Sequence, residues 1–231
     1  MAKDPLDEYF DSVSARGHHH ARRLAKIVRA AYPIGVPALI MKSSTDRFGE
    51  AAGYSFHLGT PDEYLRRIAS WLLTNAGSEQ KVLLKLVSRL WKRHGREDVA
   101  LAALLLANLD HKRLGSDPWN LLASNISRKE PAEALLLTIE EVLRAGRPLP
   151  SDEALLAWCR GRTIDGHLAL MVLHAATVRG DRVSSAAAPA IQAVPVPVGD
   201  SPPGPLTPHL VPGRSTFNQP SSSPAPAPSA S

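Results

Sequence analysis

The sequence predicts an all-α fold from its composition and from a repeated apolar motif. Apolar residues form 44% of the 231 residues and aromatic residues only 5%, so Ala and Leu supply most of a sizeable core. This composition suits helices better than sheets, which favour β-branched and aromatic side chains. Four similar motifs, ASWL, ALLL, ALLL and ALMV, begin at Ala69, Ala103, Ala134 and Ala169, at spacings of 34, 31 and 35 residues.

These spacings predict an α-solenoid of HEAT-like antiparallel helix pairs over residues 59–182, because helix-pair repeats have periods of about 34 to 47 residues. Short loops between antiparallel neighbours fit the same arrangement. A helical bundle without repeats is the alternative. Residues 1–58 are predicted to be a helical cap with a helix from His19 to Tyr32, since a terminal unit must cover an exposed apolar face.

Residues that favour helix N-termini indicate where the helices of the solenoid begin. Residues 60–63 (TPDE) and 127–130 (SRKE) match the capping box, in which a hydroxyl and a later carboxylate satisfy free backbone N–H groups. Ser78, Ser116 and Ser151 are expected to cap the other helices. The predicted helices cover 61–76, 79–94, 97–109, 117–126, 129–145, 152–160 and 164–179.

Residues 183–231 are predicted to be a disordered tail. They are rich in Pro, Ser and Ala, and their only Asp, Glu, Lys or Arg residues are Asp200 and Arg214. Such a segment buries too little apolar surface to offset the entropy that is lost on ordering. Its VPVPV stretch is compatible with a protein partner that binds polyproline II helices, although a solvated tail is favoured.

The distribution of charge favours a polyanionic partner more than the net charge of +5 does. Residues 14–47 carry seven basic side chains against one acid, and residues 81–113 carry eight against three. The second region contains a basic stripe with the spacing i, i+4, i+8 and i+11: Lys81, Lys85, Arg89 and Lys92. Four further basic residues are expected to extend it: Arg93, Arg96, Lys112 and Arg113.

The stripe covers about 80° of a helix at 100° per residue, so the apolar residues between its members can face the core. Like charges one turn apart repel each other by about 0.2–0.5 kcal/mol per pair, and an external anion would relieve this repulsion. We therefore predict that these eight residues bind the phosphates of double-stranded DNA if they lie on the concave side of the solenoid. A solvated helix face is the alternative.

Three segments resemble the HEAT-like DNA alkylation repair family, which includes alkylpurine DNA glycosylases. They are RLWKRHGREDVALAALLLANL, DPWNLLASNI and AWCRGRTIDGHLALMVLHAAT, within residues 64–179. The resemblance implies a solenoid that wraps duplex DNA in a basic concavity, where Trp side chains and one Asp surround a cationic alkylated base. An aromatic face attracts such a base, and a carboxylate stabilises the charge that develops on the sugar.

On this resemblance, Trp119 and Trp158 correspond to base-stacking residues. The Asp that the family places one turn after the first Trp is replaced by Ala123, so glycosylase activity is expected to be weak or lost. Asp117 and Asp165 are the candidate catalytic residues, with a helix-start charge as the structural alternative for each. The alternative function is a non-catalytic protein-interaction scaffold that uses the same concave face.

The sequence gives no sign of a metal site, a cofactor site or a membrane segment. Cys159 is the only cysteine, so it has no internal disulfide partner and no Cys/His ligand set for zinc. The three consecutive histidines from His18 to His20 cannot all face one ion. No stretch reaches about 18 uncharged apolar residues, and the N-terminus does not resemble a signal peptide. We therefore expect a cytoplasmic monomer.

Overall fold

A computed structural model describes residues 4–14, 17–48, 53–181 and 186–195. These residues form α-helices and connecting turns, with no strand among them, so the predicted all-α class is confirmed. The helices are α1 (Pro5–Ser12), α2 (Ala21–Ala31), α3 (Ala38–Phe48), α4 (Asp62–Ala76), α5 (Lys81–Arg93), α6 (Arg96–Asn108), α7 (His111–Leu114), α8 (Pro118–Asn125), α9 (Ala132–Arg144), α10 (Asp152–Arg160), α11 (Thr163–Val178) and α12 (Ala188–Gln192).

The helices pack mainly against partners that are close in chain order. The helices α4, α6, α9 and α11 contact one another in that order, and α5 lies against α2, α4, α6 and α8. Helix α6 is central, because every residue from Glu97 to Ala107 is buried. This packing positions α5 with one face on the core, while its arrangement as part of a solenoid stays a prediction.

The helix starts follow the sequence signals in part. Ser151 caps α10 as predicted and accepts a hydrogen bond from the Ala154 N–H at 3.2 Å. Thr60 does not cap α4, because its hydroxyl donates to the Tyr32 carbonyl at 3.0 Å. Asp117, rather than Ser116, caps α8. Helix α4 therefore begins without a side-chain cap.

The packed part of the chain extends beyond both predicted boundaries of the central domain. In α1, Leu6 and Phe10 are buried in the main core. At the other end, Ala187 and Ile191 are fully buried in the same core, and α12 contacts α10 and α11. The predicted tail therefore begins too early, because two apolar side chains one helical turn apart provide enough contact to dock residues 186–195. Residues 196–231 of the predicted tail lie outside the described residues.

Candidate nucleic-acid interface

Six of the eight predicted phosphate-binding side chains are exposed on α5 and α7. We call these six residues the basic surface: Lys81, Lys85, Arg89, Lys92, Lys112 and Arg113. None of them forms an ion pair with a residue that the structure describes. All six cations thus face solvent without an ion-pair partner among the described residues.

The pattern of apolar residues in α5 fixes the direction in which its stripe points. Leu83, Leu86 and Leu90 are fully buried, and Val87 is 1% exposed. Because the four residues share the face that packs on the core, the basic residues between them must face outward. Helix α5 contains no acidic residue, so no side chain of the helix itself offsets this charge.

Helix α7 adjoins the N-terminal end of α5. The Asp110 N–H donates to the Gln80 side-chain oxygen at 2.8 Å, and this bond brings the starts of the two helices together. Lys112 lies in the short helix that follows. Glu79 and Asp110 place two carboxylates at this end, so the acid-free part of the stripe lies further along α5, at Arg89 and Lys92.

Two predicted phosphate ligands, Arg93 and Arg96, are held in internal ion pairs instead. The Arg93 guanidinium pairs with both oxygens of the fully buried Asp98 carboxylate and donates to the Ala25 carbonyl at 2.6 Å. The Arg96 Nε lies 3.1 Å from the Glu133 Oε1 atom. Because their charge is already neutralised, we remove both arginines from the predicted interface.

A buried polar network at the turn between α5 and α6 was not predicted from the sequence. The Tyr32 hydroxyl donates to Asp98 at 2.8 Å, and the Glu97 Oε1 atom accepts the N–H groups of Leu58 and Gly59 at 2.7 and 2.9 Å. Burial and the neighbouring Asp98 raise the pKa of Tyr32. The signal in the sequence was the Glu97-Asp98 pair in the first turn of a strongly apolar helix.

His94 connects the same turn to the start of α9. Its backbone has φ 58°, in the left-handed region, and its Nε2 atom lies 2.7 Å from the Glu130 Oε1 atom. The hydrogen bond to Glu130 raises the pKa of His94. Burial opposes ionisation of Glu130, but hydrogen bonds from His94 and from the Ser127 N–H outweigh it and lower the Glu130 pKa.

The two tryptophans predicted to stack on a base are part of the protein interior. Trp119 is 1% exposed and its indole N–H donates to the Pro148 carbonyl at 2.8 Å. Trp158 is 8% exposed. Neither ring presents a free face to solvent, because the large apolar surface of an indole is stabilised by burial. The structure therefore assigns both residues to core packing.

The two candidate catalytic carboxylates also have structural partners. Asp117 accepts the Asn120 N–H at 2.8 Å as the N-cap of α8. Asp165 is 9% exposed, and its carboxylate accepts two hydrogen bonds from the Arg162 guanidinium, at 2.9 and 2.6 Å. The same guanidinium donates to the Ala123 carbonyl at 2.9 Å. Arg162 thus links Asp165 to the main chain at the end of α8.

Within the described ranges, no three His, Cys, Asp or Glu side chains form a group that could hold a metal ion. Over the same ranges, no helix has both the length and the apolar character needed to cross a membrane. Comparison of the chain with protein-family models, curated proteins and solved structures found no match. The geometry of the basic surface is therefore the main guide to function.

Proposed function

We propose that this protein binds double-stranded DNA through its phosphates and does not excise bases. The observation that carries the proposal is the basic surface, whose six exposed cations have no ion-pair partner among the described residues. Lys and Arg side chains on such a surface neutralise phosphates and release the counterions of the duplex. The resemblance of residues 64–179 to alkylation repair proteins supports DNA over other polyanions.

The composition of the surface supports backbone contacts rather than base recognition. Four of its Lys and Arg side chains lie on one face of α5, and the aromatic residue of that helix, Trp91, is 2% exposed. Phosphate contacts position a protein on DNA and carry no sequence information of their own. Trp119 is buried, and Asp117 and Asp165 already bind other groups of the protein. These observations support DNA binding without removal of bases.

A protein-interaction scaffold is the second candidate. It is supported by two exposed apolar side chains of α3, Leu39 at 78% and Ile40 at 47% exposed. Single exposed apolar residues are common on protein surfaces, whereas six unpaired cations on adjoining helices are a more specific feature. We therefore place DNA binding first.

The proposal is tested with the full chain and a fluorescent duplex of about 20 bp. The salt concentration is about 50 mM, because phosphate contacts are strong at low salt. A Lys85→Ala/Arg89→Ala/Lys92→Ala variant should bind at least about tenfold more weakly, a change that corresponds to only about 1.4 kcal/mol. Ser88→Ala, on the same exposed face, is the uncharged control and should bind like the parent. Equal affinity of the triple variant and the parent would favour the scaffold function.

A further inference from the structure

Helix α2 carries a second row of cations beside the basic surface. Arg22 and Lys26 are exposed one helical turn apart, and neither forms an ion pair with a described residue. The sequence of α2, ARRLAKIVRAA, contains no acid. Helix α2 packs directly against α5, so two acid-free basic helices are neighbours.

The C-terminal ends of the two helices lie near the same turn. Tyr32, at the C-terminal end of α2, donates to Asp98 just beyond the C-terminal end of α5. The Thr60 hydroxyl also donates to the Tyr32 carbonyl, while the adjacent Gly59 N–H bonds to Glu97 beside Asp98. Both helices therefore end close to the turn between α5 and α6.

Contacts across the boundary between the helices show which sides face each other. Arg93 projects from the side of α5 that faces α2, since its guanidinium donates to the Ala25 carbonyl at 2.6 Å. Arg89 lies one turn earlier on that side of α5. On α2, Arg22 and Lys26 flank Ala25 in the sequence. The boundary is thus bordered by cations on both helices.

We propose that α2 and α5 bind the two strands of one duplex, with a groove of the DNA lying over the boundary between the helices. The axes of packed helices are about 8–10 Å apart, which is comparable with groove widths of about 6 Å and 12 Å in B-form DNA. One row is sufficient for a single strand, whereas cations on two packed helices can reach both phosphate backbones of a duplex. This inference rests on the proposed function, because it requires the basic surface to bind DNA.

The test is an Arg22→Ala/Lys26→Ala variant of the full chain, compared with the parent on a duplex and on a single strand of the same sequence. Loss of two phosphate contacts should reduce the slope of log K against log[salt] for the duplex by about 1.8, at about 0.9 per phosphate. The single strand follows the longer row on α5, so its slope should not change. An Arg128→Ala/Lys129→Ala variant removes two exposed charges from the loop before α9 and should match the parent on the duplex.

Three results would overturn the inference. If the parent binds duplex but the α2 variant keeps the parental slope, α2 does not contact the second strand, and the proposed function stands without it. If the Arg128→Ala/Lys129→Ala variant reduces the salt dependence of duplex binding as much as the α2 variant does, the effect reflects net charge. The same conclusion follows if the α2 variant reduces the salt dependence of single-strand binding as much as that of duplex binding. If the parent does not bind duplex, the proposed function fails as well. Circular dichroism of each variant should match the parent, because all four substituted residues are exposed.

Discussion

At the scale of single residues, His94 shows how one side chain can connect distant parts of the chain. It ends α5 in the left-handed region and contacts Glu130, which precedes α9. Asn adopts this backbone conformation more readily than most residues do. A His94→Asn substitution therefore removes the charge while it keeps the turn.

The His94→Asn variant should lose more stability at pH 5.5 than at pH 9. The folded-state pKa of His94 is raised above its ordinary value of 6.5, so its contribution is full below that value and declines as the pH rises through the folded-state pKa. The Glu130 pKa is lowered from 4.5, so its contribution is lost as the pH falls below that value. Urea denaturation should show a loss of about 1–3 kcal/mol near pH 5.5. A loss that grows towards pH 9 would contradict this account.

Position 123 gives a second prediction at this scale. Neither the parent nor an Ala123→Asp variant should release alkylated purines from methylated DNA, because Trp119 and Trp158 are buried and cannot stack on a base beside the new carboxylate. Chromatography of the released bases measures this directly. Efficient release of alkylated purines by the parent would show that another carboxylate is catalytic. Loss of this activity in Asp117→Asn or Asp165→Asn would identify that carboxylate.

At the scale of helices and turns, the packing of Phe56 accounts for the glycine between α5 and α6. A Cβ atom at Gly95 would lie 1.9 Å from the Phe56 ring, and the Arg29 guanidinium lies 3.5 Å from the centre of the same ring. The Arg96 N–H donates to the Phe56 carbonyl at 2.9 Å. Residues 53–60 are therefore fixed to the start of α6 by backbone bonds and by this ring.

A Gly95→Ala substitution should destabilise the fold by about 1–3 kcal/mol, the usual cost of an overpacked site. In a Phe56→Ala background the same substitution should cost much less, because the ring that it displaces is gone. Urea denaturation of the four proteins in this double-mutant cycle measures the coupling. Additive losses would mean that the two residues act independently.

The sequence predicted the helices well because their signals are local. Periodic Leu and Ala residues and caps such as Ser151 lie within the helix that they define. The same signals could not show that Arg93 and Arg96 are ion-paired or hydrogen-bonded within the protein, since Ala25 and Glu133 lie in other helices. Nor could periodicity separate a core Trp119 from an exposed one, because both occupy a helix face.

At the scale of the whole molecule, charge compensation is uneven. The cations of α4 are paired with acids of other elements: Arg66 lies 2.6 Å from Glu141, and Arg67 lies 2.9 Å from Asp4. Among the described residues, Arg93 is the one cation of α5 that has an ion-pair partner. This asymmetry, rather than the net charge of +5, is what makes one region of the surface suited to a polyanion.

The salt dependence of duplex binding tests this central claim most directly. If the six residues of the basic surface each contact a phosphate, they should contribute about −5 to the slope of log K against log[salt], and Arg22 and Lys26 should add about −1.8. The Lys85→Ala/Arg89→Ala/Lys92→Ala variant should have a slope that is smaller in magnitude by about 2.7. A parental slope near zero, or a triple variant with the parental slope, would contradict the assignment of the basic surface to DNA.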